Sequence, residues 1–325
     1  METAEPEPIT EAWAASVLPR REPGAHKWGV GGVVVVAGSP QFAGAAALCC
    51  AGAGRSGAGI VVAALPRAVA PVVVGLVPEA TVVFLPDGDS PSVAARAVEA
   101  IAERLQRAGS MVVGPGLGDD EATENLLGAL FGAPKNRVDI GFGLPNRPGE
   151  PDAGAGTVAA SDRPVVVDAD ALNWLAGREG WWEHLPQKRL VLTPHAGEMA
   201  RLVKRESQEI VANAAVVARD AAATWGQTVV LKGSPTLVAS PDGRLVSAPT
   251  PASLATAGSG DVLSGSIAAF LAQGLSPADA AALAVVVGSR AAARLAERYG
   301  TLGIVAGDLP VAIAEELGAL ERMGG

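Results

Sequence analysis

Residues 32–37 read Gly-Val-Val-Val-Val-Ala, and residues 44–57 read GAAALCCAGAGRSG. Four consecutive β-branched residues with no polar alternation describe a strand buried on both faces. The Ala- and Gly-rich stretch after it describes the helix that covers one of those faces. The same pairing recurs outward along the chain. Short apolar runs at 60–64, 81–85, 111–113, 164–168, 190–193 and 228–231 are predicted strands, and 97–108, 197–204 and 211–225 are predicted helices. Alternation of this kind predicts an α/β fold, doubly wound, with a mostly parallel sheet flanked by helices. The pattern is expected to continue to the end of the chain. Residues 236–247, TLVASPDGRLVS, interrupt it with two alternating runs around a Ser-Pro-Asp-Gly turn, which predicts a late β-hairpin.

The 325 residues are 49% apolar with few aromatics, enough for a large core of closely packed small side chains. A formal charge of −9 with no basic stripe argues against nucleic acid as a partner, although not against nucleotides. Cys49 and Cys50 are neighbours on a predicted helix and point in different directions. They read as small buried hydrophobes in a reducing compartment, not as a disulfide or metal site. The acidic, Pro-rich start carries no signal-peptide pattern, and Pro66, Arg67, Pro71, Pro78 and Glu79 break the most apolar region, 60–85. No membrane partner and a cytoplasmic location are expected. Residues 1–8 read as a flexible tail and 9–325 as one domain. Within it, 132–163, rich in Gly, Pro, Asp and Asn, read as a long surface loop insertion.

Chemistry concentrates at 257–265, Ala-Gly-Ser-Gly-Asp-Val-Leu-Ser-Gly. Its glycines lead into a predicted amphipathic helix with Leu263, Ile267, Phe270 and Leu271 on one apolar face. Gly258 and Gly260 let the backbone approach a ligand, and the first N–H groups of a helix have no intrahelical partner. With the roughly half positive charge of the helix dipole, they form an anion site suited to a phosphate. Asp261, in the first turn, could act as a base on a hydroxyl beside that phosphate. The plainer alternative is a Gly-rich turn and an acid that merely favours the helix N-terminus.

Other candidates end predicted strands. In Thr193-Pro194-His195-Ala196-Gly197-Glu198, Thr193 is expected to cap the next helix, with Pro194 and Glu198 in its first turn. That leaves His195, one of three histidines, at the carboxyl end of a strand where α/β proteins bind ligands. In 165–173, Val-Val-Val-Asp-Ala-Asp-Ala-Leu-Asn, Asp170 reads as a cap, and Asp168 could orient a magnesium–phosphate unit through water. On its own Lys232 reads as an ordinary edge lysine, and Gly114-Pro115-Gly116-Leu117-Gly118 as a turn. No GxGxxG follows the first strand and no acid closes the second, which excludes the Rossmann dinucleotide site.

Taken together these segments resemble the ADP/ATP-dependent NAD(P)H-hydrate dehydratases, a ribokinase-like family. Ala257–Asp261 is similar to its Gly-rich loop, 193–198 to its TPHPGE element with Ala196 in place of Pro, and 168–173 to its DADALN element letter for letter. Lys232, Gly233, Ser234, Pro235 and Thr236 resemble its KGxxT element, and 114–118 its GPGLG. His26-Lys27, Gly38-Ser39, Phe42-Ala43-Gly44-Ala45-Ala46 and 55–61 resemble its N-terminal elements, with Trp28 where a Gly is usual. The likeness runs from about Ile9 to near Leu317. Three departures stand out. Ser259 replaces the usual Thr, residues 251–256 differ from the family's NPGMAT, and the epimerase domain fused to this module in some bacteria is absent from the chain.

The resemblance implies repair of NADHX or NADPHX (S epimer), dinucleotides in which water has added across the nicotinamide ring. It implies ADP or ATP as co-substrate with Mg²⁺, and a homo-oligomer, with a tetramer favoured. It places Ala45, Gly118, His195 and Asp261 at the hydrated substrate. Lys232, Gly233, Ser234, Pro235, Thr236, Gly258, Ser259 and Gly260 fall at the nucleotide, and Asp261 is the catalytic base. Two rival expectations share the same motifs: a small-molecule kinase of the hydroxymethylpyrimidine or hydroxyethylthiazole type, and a nucleotide-binding sensor without chemistry.

Overall fold

Every residue of Gly32–Val36 is buried, and this strand lies deep inside a single sheet. The computed structural model describes residues 5–132 and 156–324. Among the described residues ten strands form the sheet: β1 (Glu7–Pro8), β2 (Gly32–Val36), β3 (Ile60–Pro66), β4 (Thr81–Leu85), β5 (Ser110–Val113), β6 (Val165–Val167), β7 (Leu190–Leu192), β8 (Thr228–Leu231), β9 (Thr236–Ala239) and β10 (Leu245–Ala248). Their lateral order is β1-β10-β9-β8-β7-β6-β5-β2-β3-β4. Only β9 runs against the rest, as the middle of the expected hairpin.

The strand register explains the continuous apolar runs. Val33 and Val35 face one core with Val61, Ala63 and Val112, whereas Val34 and Val36 face the other with Val62, Met111 and Val113. Both faces of a parallel sheet are covered, so both sets of side chains must be apolar. The two coverings differ. One side is packed by small residues of the helices Ala43–Arg55, Ser259–Ala272 and Pro277–Tyr299. The other buries Phe131, Trp174, Trp181 and Trp225. Helices Ala43–Arg55 and Ser259–Ala272 touch backbone to backbone. A Cβ on Gly265 would fall 2.0 Å from the Cys49 carbonyl oxygen, and one on Gly52 would fall 2.4 Å from that of Val262. Cys49 and Cys50 are free and fully buried in this seam, and burial pushes the Cys50 thiol up to about 12. They are the small hydrophobes expected.

The structure departs from the expectations in several places. Glu7–Pro8 pair in parallel with β10, so the end of the expected tail is an edge strand; residues 1–4 lie outside the described residues. Most of the expected loop at 132–163 falls on 133–155, which also lie outside them. At its far end Thr157–Ala160 is a helical turn that buries Val158. The helix expected at 211–225 is two helices, Ser207–Ala212 and Ala214–Trp225. They meet at Asn213, whose backbone (φ −125°, ψ 29°) and side-chain bond to the Glu209 carbonyl leave the helix. The β/α alternation stops at Ala248, beyond which the described chain is helical. Ser259–Ala272 is not amphipathic: residues 264–271 are all buried. A helix between a sheet and outer helices needs apolar or small residues all round.

No helix among the described residues is long and apolar enough to cross a membrane. The winding sets five chain segments side by side. Those leaving the carboxyl ends of β2, β5, β6, β7 and β8 emerge at one edge, next to the β2/β5 position where the strand order reverses. Open α/β sheets form their crevices at that edge.

Candidate active site

The fully buried side chain of Asp168, at the end of β6, cannot remain ionised there without partners. It has two. Lys232 Nζ lies 3.0 Å from Oδ1, and the Ser264 hydroxyl donates to Oδ2 at 2.7 Å. Lys232 also reaches within 3.7 Å of Glu198 Oε2. The backbone fixes it there: the Lys232 N–H donates to the Pro194 carbonyl at 2.8 Å, extending the β7–β8 pairing to His195 and Lys232. Lys232 is therefore no ordinary edge lysine. Burial alone would lower the pKa of its ammonium, but Asp168 and Glu198 outweigh burial and hold it above its usual value.

Ser259–Ala272 begins beside this cluster. Its N-cap Gly258 sits at φ +92°, and a Cβ there would fall 2.4 Å from Leu48 Cδ1, so glycine is required twice over. Gly260 brings the first turn to Lys232, where a Cβ would lie 3.4 Å from Nζ. Asp261 follows. Burial raises its carboxyl to about 7, the Asp168 charge adds to the rise, Lys232 opposes it, and Asp170 adds a little more. Among the described residues nothing hydrogen-bonds the Asp261 carboxylate. Ser259 donates to the Leu254 carbonyl at 2.9 Å, which ties the 251–256 segment to the helix start despite its unusual sequence.

His195 caps Ala196–Val203, correcting the expectation that Thr193 does so. Its Nδ1 accepts from the N–H groups of Gly197 (2.9 Å) and Glu198 (3.3 Å), while Glu198 Oε2 accepts from the His195 N–H at 2.7 Å. Thr193 is still on the strand side, its hydroxyl bonded to the Val167 carbonyl. With Nδ1 accepting, neutral His195 carries its proton on Nε2. Asp170, expected as a cap, sits one residue inside its helix. Its Oδ2 accepts the Gly118 N–H at 2.8 Å and holds the 114–118 turn, while burial raises its carboxyl.

A cleft of about 400 Å³ opens on the Lys232 side. Lys232, Gly233, Ser234, Thr236, Ser259 and Gly260 line it; Pro235 and Gly258 do not. Val285, Leu309 and Ile313, from the last two long helices, give it an apolar wall. A second cavity, of about 590 Å³, holds Gly118 and Asp170. Neither cavity is lined by Ala45, His195 or Asp261. Ala45 packs beneath the 114–118 turn, where a Cβ on Gly116 would meet its own at 2.9 Å. Ser264 and the apolar wall went unread in the sequence, because only the tertiary fold returns those helices to the strand ends. Ser264, one turn beyond Asp261, was within reach of helical spacing.

Among the described residues no group of three His, Cys, Asp or Glu side chains is placed to hold a metal ion, and both Asp168 oxygens are engaged.

A family model described as NAD(P)H-hydrate dehydratase matches residues 33–138 and 133–315. The bifunctional NAD(P)H-hydrate repair enzyme of Moorella thermoacetica is 38% identical over 93% of this chain and 52% of its own length. The corresponding Salinibacter ruber protein is 38% identical over 96% and 54%. The chain thus spans about half the length of these curated relatives. Against the ADP-dependent (S)-NAD(P)H-hydrate dehydratase of Neisseria meningitidis, identity is 34% over 90% of this chain and 87% of that one. The crystal structure of the Bacillus subtilis ADP/ATP-dependent NAD(P)H-hydrate dehydratase, co-crystallised with ATP and Mg²⁺, matches with a TM-score of 0.77. Its identity is 27%, and the match covers 98% of this chain and all of that one. A ribokinase-like superfamily protein of Enterococcus faecalis, at 20% identity and a TM-score of 0.76, shares the fold. The chain has a ribokinase-like fold and belongs to the NAD(P)H-hydrate dehydratase family.

Proposed function

We propose that this chain, as one domain that includes the edge strand Glu7–Pro8, removes water from the S epimer of NADHX or NADPHX using ADP or ATP. The observation that carries this reading is Asp261: a carboxylate poised near 7 in the first turn of a helix, beside a cleft and without a hydrogen-bond partner among the described residues. A base works best with a pKa near the working pH and a lone pair to spare. Hydroxide is a poor leaving group from the hydrated ring, and phosphate a far better one. Asp261 takes the proton of the ring hydroxyl as the hydroxyl oxygen attacks the terminal phosphorus of the nucleotide, breaking the bridging P–O bond and releasing AMP from ADP or ADP from ATP. The N–H groups of Gly258 and Gly260 and the Lys232 ammonium face the charge that develops, which is the main demand of phosphoryl transfer. The ring nitrogen then expels phosphate, and loss of a proton from the neighbouring carbon restores the dihydropyridine.

Lys232, Gly233, Ser234, Pro235, Thr236, Gly258, Ser259 and Gly260 hold the nucleotide. Ala45, Gly118, His195 and Asp261 hold the hydrated ring, His195 as an Nε2–H donor. Mg²⁺ enters as part of the nucleotide complex, where it neutralises phosphate charge; ions of this kind keep several waters and bind through substrate phosphates. A homotetramer is the assembly we expect.

The test is recovery of reduced-nicotinamide absorbance from chemically prepared NADHX, with Mg²⁺ and ADP, ATP or neither. Nucleotide-dependent recovery with release of inorganic phosphate is expected and identifies the donor. A stable phosphorylated product selects a kinase instead. Nucleotide binding by folded protein without turnover selects a sensor.

A further inference from the structure

The loop at 232–236 is held by a segment to which no role has been given. Two hydroxyls converge on the Gly233 carbonyl. Thr250 donates to it at 2.5 Å and Thr236 at 3.2 Å, with the two hydroxyl oxygens 3.0 Å apart. A carbonyl oxygen has two lone pairs and takes both bonds. The two are not equivalent. Thr236 belongs to the same loop, so its bond moves with the loop. Thr250 comes from the chain beyond β10 and ties the loop to the rest of the molecule. That chain is itself anchored on either side of Thr250. The Ser289 hydroxyl, on helix Pro277–Tyr299, donates to the Pro249 carbonyl at 2.6 Å, and the Ser253 hydroxyl donates to the Ala292 carbonyl of the same helix at 3.2 Å. The Leu254 carbonyl accepts from Ser259. Thr250 is therefore presented from a fixed backbone.

Resting on the nucleotide reading of the Lys232-side cleft, we infer that Thr250 is a positioning residue for the nucleotide. It fixes the peptide joining Gly233 to Ser234 so that the Ser234 N–H is left to donate to the ligand. This peptide is trans, so its carbonyl and its N–H point in opposite directions. With the carbonyl turned into the threonine pair, the N–H lies on the other side of the peptide, and among the described residues nothing accepts from it. Gly233 and Ser234 both line the cleft. A glycine on one side of a peptide makes it easy to turn over, because glycine resists few backbone angles. Turned over, the peptide would offer an anionic ligand a carbonyl oxygen in place of a donor. Thr250, the bond that reaches in from outside the loop, opposes that turn.

The test compares Thr250→Val, which keeps the shape and loses the hydroxyl, with Thr250→Ser, which keeps the hydroxyl. Binding of ADP and of ATP, each with Mg²⁺, is measured by calorimetry on the full chain. Thr250→Val is expected to bind both about five- to tenfold more weakly than the wild type, as loss of one hydrogen bond gives, and Thr250→Ser to stay within about twofold. In turnover, Thr250→Val is expected to raise KM for the nucleotide by a similar factor. Its kcat and its KM for NADHX stay within about twofold, whereas a general loosening of the fold would move all three. Nucleotide binding by Thr250→Val within about twofold of the wild type overturns the assignment. So does an equal loss in Thr250→Ser, or an equal rise in KM for NADHX. Absence of nucleotide binding by the wild type overturns the reading of the cleft and the assignment with it. Binding weakened in Thr250→Val and kept in Thr250→Ser, in a protein that fails to dehydrate NADHX, sinks the reaction and leaves the role of Thr250 standing.

Discussion

The carboxyl end of β6 and the first turn of Ser259–Ala272 each place one aspartate in the same charge cluster, and the fold treats them in opposite ways. Asp168 is fully buried, with one oxygen on Lys232 and the other on Ser264. Asp261 is less buried, bonded to nothing among the described residues, and pushed up to about 7. A carboxylate saturated with donors is a fixed charge. One that is desolvated and faces that fixed charge becomes a base titrating near neutrality. Proximity to a cleft does not separate the two, but hydrogen-bond saturation does.

Removing the cation that neutralises the fixed charge should do most damage. Lys232→Met leaves Asp168 and Glu198 uncompensated and is expected to cost about 3–5 kcal/mol of stability, read by urea unfolding. Because Lys232 holds the Asp261 pKa down, the same variant should also move the rising limb of the rate–pH profile to higher pH.

Asp261 makes a smaller contribution of opposite sign. Its folded pKa, about 7, lies above the ordinary value of 3.8, so the folded state keeps a proton that the unfolded chain has lost. Stability from this group is full below about pH 4 and is lost as pH rises through 7. Asp261→Asn should therefore be more stable than wild type at pH 8, on the order of 1–4 kcal/mol, and nearly equal to it at pH 4. Thermal melts at both pH values check this.

Ser264→Ala removes a buried hydrogen bond to a charged oxygen and is expected to cost about 1.5–3 kcal/mol, again read by unfolding. Nucleotide binding should hardly change. Asp168→Asn deletes a charge that raises the Asp261 pKa. Its rate–pH profile should shift to lower pH, the reverse of Lys232→Met. If both variants shift the profile the same way, the two aspartates are not separated as described.

Much of the fold was legible because its evidence is local. Val33–Val36 declare a strand buried on both sides, and the Ser-Pro-Asp-Gly turn declares the hairpin. Most of the candidate site residues also lie on or beside the predicted strand ends. What each one touches was not legible. Lys232 looked like an edge residue because nothing in its neighbourhood names Asp168, 64 positions away. Thr193 looked like the cap because threonine commonly is one, whereas the bridge between His195 and Lys232 prolongs the pairing and delays the helix start to Ala196. The apolar wall of the cleft comes from helices whose return to the sheet is a tertiary fact. Glu7–Pro8 carry no strand signal of their own and pair only because β10 leaves an open edge.

The central claim is that Asp261, and not Asp168, is the base. The direct test is single-turnover recovery of NADH from NADHX by Asp261→Asn, with nucleotide binding measured on the same preparation. We predict a rate loss on the order of 10²–10⁴, as removal of one positioned base gives, with binding retained. Recovery within tenfold of the wild type by folded, nucleotide-binding Asp261→Asn would contradict the account.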